Sequence, residues 1–96
     1  MTIRLIITIT ATPGNGTELA QAFKVRCAQV MQEPGCEQYE IFQSVEHPDT
    51  LLLLERWIDQ AALDVHLQLM NTLPPLRPDL RAGSGVREDY EYNRTR

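Results

Sequence analysis

Four leucines in succession, Leu51 to Leu54, constrain this chain more than any other feature. They sit in the run Thr50–Ile58, which reads as a β-strand between the turn residues His47-Pro48-Asp49 and a helix start at Asp59. Side chains alternate between the two faces of a strand, so consecutive leucines put apolar groups on both. Two helices can cover one face of a small sheet, and the other face then stands in water. That exposure costs about 25 cal/mol per Å² of apolar surface. Ninety-six residues hold no further element to cover it. A second copy, packed sheet against sheet about a two-fold axis, is the economical expectation.

The remaining elements follow from periodicity. Ile3, Leu5, Ile7 and Ile9 alternate with Arg4, Ile6, Thr8 and Thr10, the period-two pattern of a strand that Pro13-Gly14-Asn15-Gly16 breaks. Asn15 then suits a helix N-cap, with Glu18 reaching back as a capping box. Leu19, Ala22, Phe23, Cys27, Val30 and Met31 recur at helical spacing. Pro34 pushes Glu33 out of helical geometry and Gly35 permits a reversal. Cys36–Glu46 reads as the second strand, hairpin-paired with the third. Asp59 caps a second helix whose apolar face is Leu63, His66, Leu67 and Met70, widened by Val65 and Leu69. Pro74 and Pro75 end it, a short turn is expected within Leu76–Ala82, and Val86 to Tyr92 alternate as a final strand before a frayed tail at Arg94 to Arg96. The order β-α-β-β-α-β is the ferredoxin-like α+β arrangement with a four-stranded antiparallel sheet, in a single domain spanning residues 1–96.

Charge and composition exclude several functions. Nine basic residues against thirteen acidic give a net charge of −4, with no Lys/Arg cluster to meet a phosphate backbone, so no nucleic-acid partner is expected. The apolar N-terminal stretch is too short to span a bilayer and lacks a signal peptide's basic start, which gives no membrane partner and a cytoplasmic expectation. Cys27 and Cys36 have no companions at metal-ligand spacing and read as small apolar residues; no metal is expected. Pro13-Gly14-Asn15-Gly16 is too short for a phosphate loop and has no lysine.

The chemistry concentrates in the stretch from Glu33 to Leu67. Glu33-Pro34-Gly35-Cys36, Tyr39-Glu40, Leu53-Leu54-Glu55-Arg56-Trp57, Ala62-Leu63 and His66-Leu67, in this order and spacing, resemble the antibiotic biosynthesis monooxygenase superfamily. The resemblance implies a dimeric α/β barrel with a ligand pocket between each sheet and its own helices. It also implies one of several activities: cofactor-independent oxidation of quinols or polyketide anthrones by O₂, haem degradation, or isomerisation of an aldehyde phosphate. Some members have no known activity, so fold is specified better than reaction. Trp57 falls on the tryptophan that lines the cavity in some of the monooxygenases, whereas Leu53 stands where those enzymes carry an asparagine. The haem degraders need a histidine further along the second helix, where this chain has Leu76 and prolines, and an asparagine on the first strand, where it has Ile7.

The expected function is therefore oxidation of an aromatic quinol or polyketide-type molecule by O₂ with no cofactor. A non-catalytic dimeric ligand-binding or scaffold domain, or an isomerase or cyclase on the same barrel, stays open beside it. His66 is the candidate base, a group that titrates near neutrality. The alternative for His66 is a hydrogen-bonded core histidine. Trp57 either walls the pocket against a flat ligand or fills the core. Glu55 shares the face of Trp57 and must be paired if buried, so a salt bridge competes with a chemical role. Phe23, Phe42, Leu53, Glu55 and Met70 complete the expected substrate-facing set.

Overall fold

The computed structural model describes residues 1–83 and 85–91. Strand β1 spans Ile3–Thr10, helix α1 Gly16–Val30, strand β2 Cys36–Gln43, strand β3 Thr50–Trp57, helix α2 Gln60–Met70 and strand β4 Val86–Glu91, with a 3₁₀ turn at Pro78–Leu80. The strands form one four-stranded sheet in the order β2-β3-β1-β4, every pair antiparallel. This is the α+β ferredoxin-like topology that the periodicity predicts. Strand β2 ends at Gln43, short of the expected Glu46, and the chain turns through residues 44–49. The expected continuation of β4 to Tyr92 and the tail at Arg94 to Arg96 lie outside the described residues.

Register fixes which side chains face the helices. Ile3, Leu5, Ile7 and Ile9 stand opposite Trp57, Glu55, Leu53 and Leu51. Burial along β3 alternates strictly, with Leu51, Leu53, Glu55 and Trp57 buried and Leu52, Leu54 and Arg56 half-buried. The buried residues join Leu19, Phe23 and Val30 of α1, Tyr39 of β2, Leu63 of α2 and Leu80 of the 3₁₀ turn in one apolar cluster. On the opposite face the rows read Phe42–Leu52–Thr8–Val86 and Glu40–Leu54–Ile6–Glu88. Phe42 and Val86 there are 44% and 63% exposed. Val65 and Leu69 are exposed as well, so the apolar stripe of α2 is narrower than its sequence suggests. Leu63 and His66 alone are buried on it, with Leu67 and Met70 packed at the margin.

The two helix starts differ from one another. Asp59 caps α2 as expected, its carboxylate accepting from Ala62 N–H at 2.9 Å. Asn15 makes no side-chain cap to α1, and its amide donates instead to Thr12 Oγ1. The capping carboxylate is Asp49 from the β2–β3 turn, which accepts from Gly16 N–H at 2.9 Å and Gly14 N–H at 3.0 Å. A side chain at Gly16 would overlap the Pro48 carbonyl, so glycine there lets the turn approach this closely. Asp49→Ala is expected to cost about 1–2 kcal/mol, read as a lower urea midpoint at unchanged slope. Asn15→Ala should cost less than half as much; the reverse ranking would assign the cap to Asn15.

Candidate functional site

Strand alternation, a helix cap and a proline together assemble the only strongly polar group in the described core. Glu55 and Trp57 share the inner face of β3 because they are two residues apart. Trp57 is fully buried and its Nε1–H donates to Glu55 Oε1 at 2.9 Å. His66 lies one helical turn beyond Leu63 on the buried face of α2 and is 2% exposed. Its ring packs on the Trp57 indole, centroids 4.6 Å apart and tilted by 34°. Its Nε2 stands 3.9 Å from Glu55 Oε1, too far for a hydrogen bond but close for a charge.

The other ring nitrogen is held from a place the sequence reading did not single out as a site. Glu33 Oε1 lies 2.9 Å from His66 Nδ1, so with the carboxylate as acceptor Nδ1 carries the proton. Helix α1 stops at Val30, Glu33 N–H closes a final turn on Val30 O, and Pro34 forces the chain out of helix. Gly35 then takes φ +82°, and a Cβ there would come within 2.5 Å of Ala62 Cβ. That close approach seats the turn on the start of α2 and brings Glu33 under His66. A clue stood in the sequence: a carboxylate fixed by the following Pro-Gly pair, inside the stretch that carries the chemistry. Glu55 shows the pairing expected for a buried carboxylate, accepting from the Trp57 indole with the His66 imidazole close by.

Tyr39 connects this cluster to open space. Its ring meets His66 edge-on, centroids 5.5 Å apart at 62°. The hydroxyl bonds to no described residue, yet no fully buried polar side-chain atom lacks a partner among them, so the hydroxyl keeps access to a cleft. Burial, followed by the charge of Glu55, holds its pKa well above the ordinary phenol range. At neutral pH Tyr39 is therefore a hydrogen-bond donor and not a phenolate. The same physics keeps the thiols protonated: burial and then Glu33 push Cys36 up to about 11, and burial raises Cys27. Both cysteines are free.

The cleft on the helix side has a volume of about 420 Å³. Phe23, Leu53, Met70 and Tyr39 form its wall, with Ile7 and Ile9 beneath and Arg26, Arg81 and the Leu73–Leu76 segment around it. The volume lies within the range of small-molecule sites. Three expected substrate-facing residues, Phe23, Leu53 and Met70, meet here. His66, Trp57 and Glu55 come together behind Tyr39 and do not line the cleft. Phe42 joins neither group. It lies three positions beyond Tyr39 in β2, an odd offset that puts it on the outer face of the sheet opposite Leu52. A second cleft, of about 500 Å³, lies beyond Tyr39 and is lined by Cys27, Met31, Glu37, Gln38, Glu40 and Arg56. Among the described residues no group of His, Cys, Asp and Glu is arranged to hold a metal ion. No helix there is long and apolar enough to cross a membrane.

Comparison with known proteins agrees with this architecture. No curated protein matches the chain. Among solved structures, a conserved protein from Methanosarcina mazei Go1 superposes with a TM-score of 0.83 at 24% identity, covering 97% of this chain and 94% of its own. PA3566 from Pseudomonas aeruginosa follows at 0.78 and 26% identity, covering 97% and 95%. A protein described as an antibiotic biosynthesis monooxygenase matches at 0.74 and 19% identity, covering 96% and 99%. The family model for antibiotic biosynthesis monooxygenase matches residues 2–71, which takes in both helices, the first three strands and the whole Glu33–His66–Glu55–Trp57 cluster. The chain belongs to the antibiotic biosynthesis monooxygenase family.

Proposed function

We propose that this protein is a cofactor-independent monooxygenase that oxidises an electron-rich hydroxylated aromatic, of quinol or polyketide type, in the cleft walled by Phe23, Tyr39, Leu53 and Met70. The observation that carries the reading is Tyr39. It combines a hydroxyl with access to cleft space, a pKa raised far enough to keep it a donor, and a ring backed by the Glu33–His66 pair.

The chemistry that such a wall supports starts with loss of a proton from the substrate to water in the open cleft, which later returns it to the peroxide. That loss leaves an oxyanion conjugated with the ring. Tyr39 donates a hydrogen bond to that oxyanion, and a prepositioned donor in a partly dry site stabilises developing charge strongly. The electron-rich anion passes one electron to O₂, and the radical and superoxide combine at carbon to a peroxide. Loss of water then turns a ring methylene into a carbonyl. One oxygen atom goes to product and the other to water, so R₂CH₂ and O₂ give R₂C=O and H₂O without an outside reductant. His66 and Trp57 act from behind the wall: His66 holds the Tyr39 ring edge-on, and Trp57 holds both His66 and Glu55. They are positioning residues, while Phe23, Leu53 and Met70 receive the flat apolar body of the substrate.

The same reading includes a homodimer through the outer sheet face, because Ile6, Phe42, Leu52, Leu54 and Val86 leave an apolar centre there that no described element covers.

Oxygen-electrode kinetics with an anthrone substrate test the proposal. Tyr39→Phe is expected to lower kcat about a hundredfold with KM changed little, since the lost donor acts on charge that develops after binding. His66→Asn should lower kcat less, about tenfold, with the same split. Oxygen uptake unchanged in Tyr39→Phe, or absent in the unmodified protein, would remove the reading.

A further inference from the structure

The cleft is positively charged in a protein that is not. The chain carries a net charge of −4, yet among the described residues no Asp or Glu lines this cleft, whereas two arginines, Arg26 and Arg81, do. Other arginines of the described residues are matched: Arg56 pairs with Glu37 at 3.1 Å and Arg77 with Asp79 at 3.0 Å. Arg26 and Arg81 pair with no carboxylate among the described residues. The one side-chain hydrogen bond of Arg26 runs from Nη1 to the Met70 sulfur at 3.6 Å, a weak acceptor that leaves most of the guanidinium donors unused.

Both arginines stand on well-fixed backbone. Arg26 lies between the buried Phe23 and Val30 of α1, half-buried itself. Arg81 is bridged to Ala11, and its neighbours are tied to β1 and its continuation by Ala82 N–H to Thr10 O at 2.8 Å and Thr12 N–H to Leu80 O at 2.8 Å. A guanidinium presents a planar fork of donors that suits a carboxylate or phosphate oxygen pair. Two such forks beside an apolar floor of Ile7, Ile9, Phe23 and Leu53 describe a ligand with an anionic end and a flat greasy body.

We infer that the cleft binds an aromatic acid, its oxyanion headgroup held between Arg26 and Arg81 and its rings against Phe23 and Leu53. The inference rests on the cleft proposed above as the substrate site and names the class of substrate: a hydroxylated aromatic that also carries a permanent negative charge. Steering adds to this, because a local positive site in an acidic protein concentrates anions where they are used.

Calorimetric titration of the full chain at low salt tests it with three probes of one shape: 2-naphthoate, 2-naphthyl phosphate and neutral 2-naphthylmethanol. At least one anion is expected to bind about tenfold or more tighter than the alcohol, which is the scale of one charge-assisted pair. Whichever anion binds tighter identifies the headgroup as carboxylate or phosphate. Arg26→Gln and Arg81→Gln should each reduce the preference for the anion several-fold, with binding of the alcohol unchanged, and Arg26→Lys should retain part of it. Circular dichroism of each variant shows that it is folded. Equal binding of the alcohol, no binding of any probe, or an anion preference untouched in both glutamine variants would overturn the inference. Loss of oxygen uptake with the anion preference intact would instead overturn the oxidation reading alone, so the two failures are distinguishable.

Discussion

Replacing Trp57 by alanine is expected to lower the unfolding free energy by about 3–5 kcal/mol, the cost of emptying a large aromatic site in a packed core. Trp57 is the largest fully buried side chain, and it sits at the end of β3 where β1, β2 and α2 converge on it. The loss has two parts. Removing the indole leaves a cavity among neighbours that are tied to three strands and cannot collapse freely. It also withdraws the donor from Glu55, a carboxylate that is 3% exposed. Trp57→Phe separates them: it keeps most of the volume, loses the donor and should cost about 1–3 kcal/mol. A small domain is stable by about 5–15 kcal/mol in total, so the alanine variant stands near the edge of folding. Urea unfolding followed by circular dichroism measures both. A cost under 1 kcal/mol for Trp57→Ala would mean that the indole is not the anchor of this end of the sheet.

Leu54→Glu is expected to convert a dimer to monomers. Leu54 lies at the centre of the outer face, between Glu40 and Ile6 in its row and beside Leu52 along the strand. Two-fold packing of that face would bury one introduced carboxylate from each copy without a partner. Desolvating an unpaired charge costs several kcal/mol, and the symmetry doubles it. The buried half of β3 is untouched, so the fold of each subunit survives. Sedimentation equilibrium at micromolar concentration should give about twice the chain mass for the unmodified protein and the single-chain mass for the variant. A monomeric unmodified protein, stable with its outer face in water, would contradict the assembly.

Much of this was legible in the residues. Period-two alternation located β1, the apolar run between the His47-Pro48-Asp49 turn and Asp59 located β3, and the two-residue spacing of Glu55 and Trp57 assigned them to one face; Asp59 announced the start of α2, and Pro34 the end of α1. What was not legible depended on contacts between parts distant in sequence. Asp49 caps a helix that begins thirty-three residues earlier, and Glu33 reaches a histidine thirty-three residues later. Local signals cannot rank such partners, and Asn15 with Glu18 looked the better cap. Phe42 is a different case. Alternation from Tyr39 already put it on the far face, but composition made an aromatic attractive as a pocket residue. Arg26 and Arg81 were invisible as a pair, because only the fold of the Pro74–Leu80 segment brings the second to the cleft that the first lines. Val65 and Leu69 show the limit of helical spacing, since a short helix over a four-stranded sheet buries a narrower stripe than its apolar residues offer.

Substrate is proposed to meet this protein in the cleft between sheet and helices, against Tyr39 and in front of the Glu33–His66 pair. A ¹⁵N- and methyl-labelled sample titrated with a tricyclic hydroxy-aromatic tests that directly by NMR. The largest shifts are expected on Phe23, Tyr39, Leu53 and Met70, with His66 following through the Tyr39 ring and Phe42, Leu52 and Leu54 unmoved. Shifts confined to the outer face, or to the cleft lined by Met31, Glu37 and Gln38 with Phe23 and Leu53 silent, would contradict it.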